Sequence, residues 1–418
     1  MHGEDYLCAW FFGNVSDDER PHAAEHAGVL CPGAASGRLK IQEWRGRTPG
    51  GKWPSVKMEY AQTKHKYIIK GEMKMIRFNN DYNHGAHPAI LEAVMKTNTE
   101  SYGGYGLDSW CEKGAAAIRK YLEGADADIH FLLGGTQVNY TVIAAALRPY
   151  QSVISAVTAH INHHETGAVE NTGHKIQAVP GENGKLTAAG IAAAAEAYRR
   201  SGTQEHITQP KLVFLSFPSE YGTIYTRQEL MDIHAVCREY DLYLFVDGAR
   251  LGYGLGSRAN DVTLADLARL TDAFYIGGTK CGAMFGEAVV LMHPALRENF
   301  RSFMKQNGAM LAKGWLLGLQ FYTLFQDGLY FRITEKADEA AMQIKDAFSR
   351  KGIPFYMESF TNQQFVLLTE SEKKRLAEKY IFEEEEVLPD GRACVRFCTS
   401  WSTTPEEAAA LVSDIQKL

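Results

Sequence analysis

Side chains that could do chemistry follow four apolar runs of the sequence. The runs are rich in β-branched and aromatic residues, which is typical of buried strands. The segments that follow them are "GGTQ" (134–137), "TAHINHHETGA" (158–168), "DGARLG" (247–252) and "GGTK" (277–280). In open α/β sheets, ligands bind outside the carboxyl ends of the strands. We therefore expect a site where these four segments meet.

Lys280, at the end of "GGTK", has a side chain suited to nucleophilic catalysis. Burial in an apolar cavity lowers the pKa of a lysine, and the neutral amine can then attack a carbonyl group. The alternatives are a surface lysine whose charged end reaches water and an ordinary loop charge. The other three segments decide between these interpretations.

Gly135 and Thr136 open a segment of helical character after "IHFLL" (129–133). Free N–H groups at the start of a helix bind phosphate, and a threonine hydroxyl adds a donor. A glycine turn followed by a threonine N-cap would give the same pattern. Taken alone, this segment leaves both interpretations open.

Asp247 ends the apolar run "YLFV". A carboxylate at the end of a buried strand is costly unless it is paired. Arg250, three residues later, could be its partner in a structural salt bridge. The other interpretation is that Asp247 faces a cationic nitrogen of a ligand.

His160 and His164 are four residues apart, and Glu165 follows. On a helix the two histidines would share a face, so a metal site is one interpretation. The spacing lacks the H-E-x-x-H pattern of zinc hydrolases, and we predict no metal. His160 lies just beyond its predicted strand and is also placed to stack on a flat aromatic ligand.

The four segments converge if their strands are neighbours. A phosphate site, a stacked ring, a carboxylate for a ring nitrogen and a reactive lysine are the parts that a pyridoxal 5'-phosphate site needs. A nicotinamide site at "GYGLGS" is a weaker alternative, because the run follows Asp247 and lacks the full fingerprint spacing. A non-catalytic metal-binding protein is the alternative from another class.

The elements that must position these residues alternate between strand and helix from Met75 onward. Seven predicted strands cover 129–133, 152–157, 174–179, 211–217, 243–247, 273–278 and 286–292. This alternation predicts a mostly parallel sheet covered by helices on both faces. After about residue 308 a long helix, two short strands and a final helix indicate a smaller α+β domain.

Composition excludes several classes of protein. The chain has 418 residues with a formal net charge of -6, and no basic field indicates nucleic acid. The apolar runs are too short for a membrane span. The seven cysteines are scattered and have no CxxC spacing, which favours a reducing, cytoplasmic location.

Residues 1–74 differ from the rest of the chain, since they are rich in Gly, Pro and basic residues and lack periodicity. They fit neither a signal peptide nor a transit peptide. We expect a disordered extension. Met73 or Met75 could be the native start, so the extension could be non-native.

The organised part resembles a known family. The matching segments are "FNNDYNHGAHPAILEAV", "YGGYGLDS", "GGTQVN", "AHINHHETGA", "VDGARLG", "GGTKCGAMFGEA" and "VRFCTSW". They resemble the L-threonine aldolase / β-eliminating lyase family of pyridoxal-phosphate enzymes, of fold type I. The resemblance implies a seven-stranded, mostly parallel sheet in a three-layer α/β/α large domain (75–320) and a small C-terminal α+β domain (321–418).

The resemblance also implies roles for the residues around the cofactor. Lys280 matches the lysine that binds the cofactor as a Schiff base, and Asp247 matches the partner of the pyridine nitrogen. His160 matches the residue that stacks on the ring and is a candidate base. Gly135 and Thr136 match phosphate ligands.

Three residues are expected to bind the substrate. Arg396, on the strand "ACVRFCT", matches the clamp that holds an amino-acid carboxylate through two parallel hydrogen bonds. Arg250 faces either the phenolic oxygen of the cofactor or this carboxylate. Asn80 stands where many family members have a serine. A histidine that many members have after the fifth strand is replaced by Glu220, which leaves the general base open.

The implied reaction is cleavage of the Cα–Cβ bond of L-threonine or L-allo-threonine to glycine and an aldehyde. The alternative within enzymes is another β-eliminating lyase. The resemblance also implies a homodimer or homotetramer with the site at the subunit interface, and "YGGYGLDS" (102–109) is the predicted loop near the partner's cofactor.

Overall fold

The computed structural model describes residues 75–418, so the expectation for residues 1–74 lies outside the described part. The strands are β1 (Ile76–Arg77), β2 (Asp128–Leu132), β3 (Gln151–Ala156), β4 (Lys175–Val179), β5 (Gln209–Ser216), β6 (Tyr243–Asp247), β7 (Ala273–Gly277), β8 (Glu287–Leu291), β9 (Phe355–Met357), β10 (Gln363–Leu368), β11 (Tyr380–Ile381), β12 (Glu383–Val387) and β13 (Ala393–Cys398). The helices are α1 (Pro88–Thr97), α2 (Ser109–Arg119), α3 (Gly135–Ala146), α4 (His160–His163), α5 (Ala188–Arg199), α6 (Arg227–Glu239), α7 (Leu251–Gly256), α8 (Leu264–Leu270), α9 (Pro294–Arg297), α10 (Phe300–Gln306), α11 (Trp315–Phe325), α12 (Leu329–Lys351), α13 (Glu370–Ala377) and α14 (Pro405–Ile415).

A seven-stranded sheet forms the centre of the molecule, in the order β2-β8-β7-β6-β5-β3-β4. The neighbouring pairs β3–β4, β3–β5, β5–β6 and β6–β7 are parallel. Every residue of β3, β7 and β8 is buried, as expected of strands covered on both faces. The predicted mostly parallel α/β sheet is confirmed.

One strand of this sheet runs against the others. β8 is antiparallel to both β2 and β7, so its first residue lies beside the last residues of its neighbours. Glu287 is therefore paired with Gly277 and Leu132 at the edge where the parallel strands end. This reversal brings an additional carboxyl group to the edge of the sheet where ligands bind.

A second sheet, β12-β13-β10-β9, is antiparallel and belongs to the C-terminal part. Its own hydrophobic core includes Ile344 of α12, Val366 of β10, Val395 of β13 and Leu411 of α14. Phe78 also packs in this core, because β1 pairs with β11. The first strand of the described chain therefore packs with the C-terminal part.

The predicted long helix over 308–328 is shorter than expected and begins at Trp315. Gly308, which follows the end of α10, has a φ of +67°, so the predicted helix does not begin at this glycine. Gly318 then lets α11 approach α2, since a Cβ there would lie 2.3 Å from the backbone nitrogen of Cys111. Within residues 75–418, no helix has the length and hydrophobicity needed to cross a bilayer.

Candidate active site

A cavity of about 270 Å³, here called the central cavity, opens at the carboxyl edge of the seven-stranded sheet. The predicted cofactor-binding residues all line it, namely Gly135, Thr136, His160, Asp247, Arg250 and Lys280. They come from different crossovers of the sheet and are brought together because the parallel strands end side by side. The role predicted for each of these residues remains a prediction.

Lys280 lies in the short connection between β7 and β8. The N–H groups of Gly278 and Thr279 both donate to the carbonyl oxygen of Gly286, at 3.0 and 3.2 Å, and close this connection. Burial and the nearby charge of Arg250 lower the pKa of Lys280, and the surrounding carboxylates oppose the shift only in part. The environment therefore favours the neutral, nucleophilic amine.

Glu287, which sequence reasoning missed, lies beside this lysine. Its Oε2 accepts a hydrogen bond from the N–H of Gly278 at 2.9 Å, and its Oε1 accepts one from the Thr279 hydroxyl at 2.8 Å. Burial raises the pKa of Glu287 to about 8, although these bonds and the charge of Lys280 act in the opposite direction. The signal in the sequence was a single charged residue at the head of the apolar strand "EAVVL".

Asp247 is buried at the end of β6, and three donors hold its carboxylate. Oδ1 accepts from the Tyr275 hydroxyl at 2.6 Å and from the N–H of Ala249 at 2.9 Å. Oδ2 accepts from Nδ2 of Asn139 at 2.9 Å. These bonds fix the orientation of the carboxylate in the cavity.

His160 begins the short helix α4 and contacts Glu165. Its Nδ1 lies 2.8 Å from Oε1 of Glu165, and the same oxygen accepts from Nδ2 of Asn139 at 2.8 Å. Asn139 therefore links the carboxylate of Asp247 to that of Glu165, and Glu165 in turn contacts His160. The Glu165 contact assigns the proton of His160 to Nδ1 and leaves Nε2 as an acceptor.

Glu220 lies against the backbone of His160. Its Oε1 accepts from the N–H of His160 at 2.9 Å and from the Ser216 hydroxyl at 2.6 Å. Burial raises the pKa of Glu220, and these two hydrogen bonds reduce the shift. Glu220 thus helps to position His160 as well as lining the cavity.

Arg250 does not pair with Asp247, so the structural salt bridge considered from the sequence is wrong. Its Nε and Nη2 donate to the two carboxylate oxygens of Asp81 at 2.7 and 3.0 Å. Burial alone would raise the pKa of Asp81, but the charges of Arg250 and Lys280 hold it below its usual value. The carboxylate of Asp247 is therefore left for a different partner.

The start of α3 faces the central cavity through Gly134, Gly135 and Thr136. Its N-cap, Gly134, makes no side-chain hydrogen bond to the helix, so the first N–H groups are not capped from within. A Cβ on Gly135 would lie 2.9 Å from the Tyr275 hydroxyl. A side chain at this position would therefore displace the Tyr275 hydroxyl, which donates to Asp247. The uncapped helix start can bind an anion.

A second cavity of about 450 Å³, here called the outer cavity, adjoins the central one, and His160, Glu220 and Arg250 line both. Arg396, on β13, also lines the outer cavity. Its side chain is 19% exposed, so it is not the free surface charge considered as an alternative.

Asn80 is not brought into either cavity. Its side-chain oxygen accepts from the N–H of Tyr82 at 3.0 Å, in a local turn. Its role as a substrate ligand remains a prediction.

The histidine cluster has the geometry of a hydrogen-bonded group. The His160 and His164 ring centroids are 5.5 Å apart, and His164 follows the last residue of α4. Among the described residues, no group of three or more His, Cys, Asp or Glu side chains could hold a metal ion.

Comparisons with known proteins identify the family. The family model described as Beta-eliminating lyase matches residues 78–371. A low specificity L-threonine aldolase from Pseudomonas sp. (strain NCIMB 10558) is 30% identical over 352 residues, which cover 81% of this chain and 97% of that protein.

Solved structures give the same result for the fold. The threonine aldolase of Leishmania major superposes with a TM-score of 0.80 at 45% identity, covering 82% of this chain and 99% of that one. An SPT solved with PLP, at 16% identity and a TM-score of 0.61, covers 82% of this chain and 87% of its own. The predicted fold type is confirmed, and so is the family resemblance. The chain belongs to the β-eliminating lyase family.

Proposed function

We propose that this chain is a pyridoxal-phosphate-dependent carbon–carbon lyase, which cleaves L-threonine or L-allo-threonine at the Cα–Cβ bond to glycine and an aldehyde. The observation that carries the proposal is the placement of Lys280 and Asp247 in one cavity with an uncapped helix start. The similarity to threonine aldolases supports the substrate class.

The residues present fit the cofactor. The uncapped start of α3 is an anion site for the phosphate group, and Thr136 adds a hydroxyl. Asp247 offers a carboxylate with no basic side-chain partner among its hydrogen-bond donors, as a protonated ring nitrogen requires. Lys280, with its lowered pKa, offers an amine for the cofactor's carbonyl carbon. His160 lines the same cavity and can cover a flat ring.

Pyridoxal phosphate, when bound, withdraws electrons from the Cα of an amino acid. The chain's own residues determine which bond breaks. Arg396 would hold the substrate carboxylate and so fix the orientation of Cα. Asp247 would stabilise positive charge on the ring nitrogen, and Arg250 is held beside the site by Asp81.

His160 is the proposed base for the β-hydroxyl proton. Its Nδ1 is engaged by Glu165, which leaves Nε2 to accept a proton and lets the carboxylate stabilise the resulting charge. Glu220 is a positioning residue here, because its contact is with the backbone N–H of His160. When His160 takes the hydroxyl proton, the Cα–Cβ bond breaks as the C=O bond of the aldehyde forms, and the electron pair of the broken bond is left on Cα. Lys280 lines the same cavity and is proposed to deliver the proton that Cα then takes up.

The test combines a spectrum with product analysis. Purified protein should be yellow, borohydride should fix the cofactor to Lys280, and Lys280→Ala should lose this covalent attachment. L-threonine and L-allo-threonine should each be supplied, and glycine and acetaldehyde should form in equal amounts. A keto acid with ammonia would instead establish β-elimination. A protein that does not bind pyridoxal phosphate would refute the proposal.

The wider organisation is part of the same proposal. The division into a large domain (75–320) and a small domain (321–418) stays a prediction. Two separate hydrophobic cores support two domains, but residues from Phe321 to Ala337 pack in the core of the large one and Phe78 packs in that of the small one. The exposed side chains of Tyr105 and Leu107 support a homodimer or homotetramer in which the 102–109 loop meets a second copy. Sedimentation of the purified protein tests the oligomer.

A cytoplasmic location is supported by the cysteines. Those in the described residues are all buried and unpaired, namely Cys111, Cys237, Cys281, Cys394 and Cys398. Free thiols are typical of proteins in reducing compartments.

A further inference from the structure

The strand β12 contains an irregularity at Glu385. Its neighbours Glu384 and Glu386 pair with Val395 and Cys394 of β13, which are adjacent residues, so Glu385 has no partner in the ladder. An extra residue of this kind changes the direction of its side chain relative to regular alternation. Bulges of this type recur beside active sites.

The bulge brings the Glu385 carboxylate to Arg396. Oε1 of Glu385 lies 3.0 Å from Nη1 of Arg396, and both side chains line the outer cavity. The Nη2 of Arg396 donates to the carbonyl oxygen of Asn79 at 3.1 Å. Nε is buried and has no hydrogen-bond partner within the described residues.

This geometry restricts how an incoming carboxylate can reach Arg396. A guanidinium binds a carboxylate through two adjacent N–H groups on one edge. Because Nε is buried, the edge that remains for a ligand in the cavity includes Nη1, and Glu385 occupies Nη1. A substrate carboxylate must therefore replace the carboxylate of Glu385.

The surroundings of Glu385 allow that replacement. Its side chain is 33% exposed, and every residue of β12 is exposed, so the carboxylate can turn into water without loss of core packing. Arg396 is less exposed, at 19%, and its contact with Asn79 fixes it. The mobile partner of the pair is thus the glutamate.

We propose that Glu385 is a specificity-determining residue that occupies the substrate-carboxylate position on Arg396 in the free enzyme and is displaced by the amino acid. An amino acid must out-compete this internal carboxylate on Arg396, whereas an amine without a carboxylate need not, so Glu385 lowers the affinity for carboxylate-bearing ligands alone. The inference rests on the proposed function, in which Arg396 binds the substrate carboxylate.

The experiment measures binding of glycine and of methylamine to the holoenzyme through the cofactor absorbance. Glycine carries a carboxylate and methylamine does not. Glu385→Gln keeps the size of the side chain and removes its charge. We expect it to lower the Kd for glycine and the KM for L-threonine about fivefold, while kcat and the Kd for methylamine stay unchanged.

The matched control is Glu384→Gln. Glu384 is on the same strand and pairs with Lys373 at 2.7 Å, away from both cavities. Glu384→Gln removes the same charge from the same strand but outside both cavities, so it should leave the Kd for glycine and the Kd for methylamine unchanged. A glycine Kd that rises or stays constant in Glu385→Gln would overturn the inference, since it would show that Glu385 only positions Arg396.

Arg396→Lys separates failure of this inference from failure of the proposed function. If Arg396→Lys leaves the glycine Kd unchanged, the carboxylate clamp itself is wrong, and the inference falls with it. If Arg396→Lys weakens glycine binding but Glu385→Gln does not strengthen it, only the role of Glu385 is wrong. In the Arg396→Lys background, Glu385→Gln should have a much smaller effect, because the competition acts through the guanidinium edge.

Discussion

Arg250 and Asp81 hold each other through two hydrogen bonds of 2.7 and 3.0 Å, although 169 positions separate them in the sequence. The Asp81 side chain is completely buried, and Asn362 donates a further hydrogen bond to it at 3.0 Å. The pair joins the first described loop to the edge of the central sheet. It also keeps Arg250 from neutralising Asp247.

Asp81→Asn should destabilise the protein strongly. It leaves Arg250 buried without a countercharge, which costs about 3–5 kcal/mol in the free energy of unfolding. Urea denaturation of the cofactor-free protein near neutral pH measures the difference. Asp390→Asn is the control, because it breaks an exposed pair with Arg392 and should change stability little.

The effect of Asp81→Asn should also depend on pH. The pKa of Asp81 is lowered in the folded state, so the pair contributes stability above the ordinary carboxyl pKa of 3.8. That contribution is lost as pH falls through the lowered folded-state pKa. The difference between wild type and variant should therefore shrink in acid. A difference that stays constant down to strongly acidic pH would contradict an ion pair.

Glu287→Gln should make stability less sensitive to pH. Burial raises the pKa of Glu287 from 4.5 to about 8, so between these values the folded protein retains a proton that the unfolded chain releases. Wild-type stability therefore falls as pH rises through this window, and the glutamine variant lacks this loss.

Urea denaturation of the cofactor-free protein at several pH values across that window measures the difference. The stability of Glu287→Gln relative to wild type should rise with pH, by a few kcal/mol at most, since each pKa unit corresponds to about 1.4 kcal/mol. Glu298→Gln, which removes an exposed carboxylate, is the control. A pH-independent difference for Glu287→Gln would mean that its carboxyl is already ionised in the folded state.

Asn139→Ala should weaken cofactor binding and lower kcat. Its Nδ2 donates to both Glu165 and Asp247, so its removal takes one hydrogen-bond donor from each of two buried carboxylates. A missing partner of this kind costs about 1–3 kcal/mol, which corresponds to roughly tenfold or more in the Kd for pyridoxal phosphate. Titration of the cofactor-free protein with pyridoxal phosphate measures this Kd. Asn162→Ala, whose Nδ2 bonds to the Val157 carbonyl oxygen, should leave this Kd unchanged.

His160→Ala and Glu220→Gln distinguish the base from the residue that positions it. Loss of a general base lowers kcat by about 10²–10⁴. Glu220→Gln retains an acceptor for the N–H of His160 and should lower kcat far less. Steady-state kinetics with L-threonine separate the two, and His206→Ala, whose side chain is 72% exposed, is the control. The reverse order of effects would make Glu220 the base.

The sequence was sufficient for residues that stand at strand ends. Asp247 and Lys280 each follow an apolar run, and parallel strands bring such positions to one edge, so local pattern and sheet geometry together placed them. Gly135 and Thr136 followed from the same rule. These positions depend on short-range features that a single sequence contains.

Other features depend on contacts that local pattern does not contain. Asp81 is far from Arg250 along the chain, and Asp247 is only three residues away, so proximity in sequence gave the wrong partner. Glu287 enters the site because β8 is reversed, and a run such as "EAVVL" does not reveal the direction of a strand. Glu385 contacts Arg396 through a bulge in a row of glutamates that has no hydrophobic alternation.

The row of glutamates on β12 has a second consequence, for the behaviour of the protein at high concentration. Among the described strands, β12 is an edge of its sheet, and such edges can pair with a second chain and begin aggregation. Glu383, Glu384, Glu385 and Glu386 put four like charges on this edge, so a second copy of the strand is repelled. Neutralising all four in order to tune the enzyme would therefore reduce its solubility, whereas changing Glu385 alone leaves three charges on the edge.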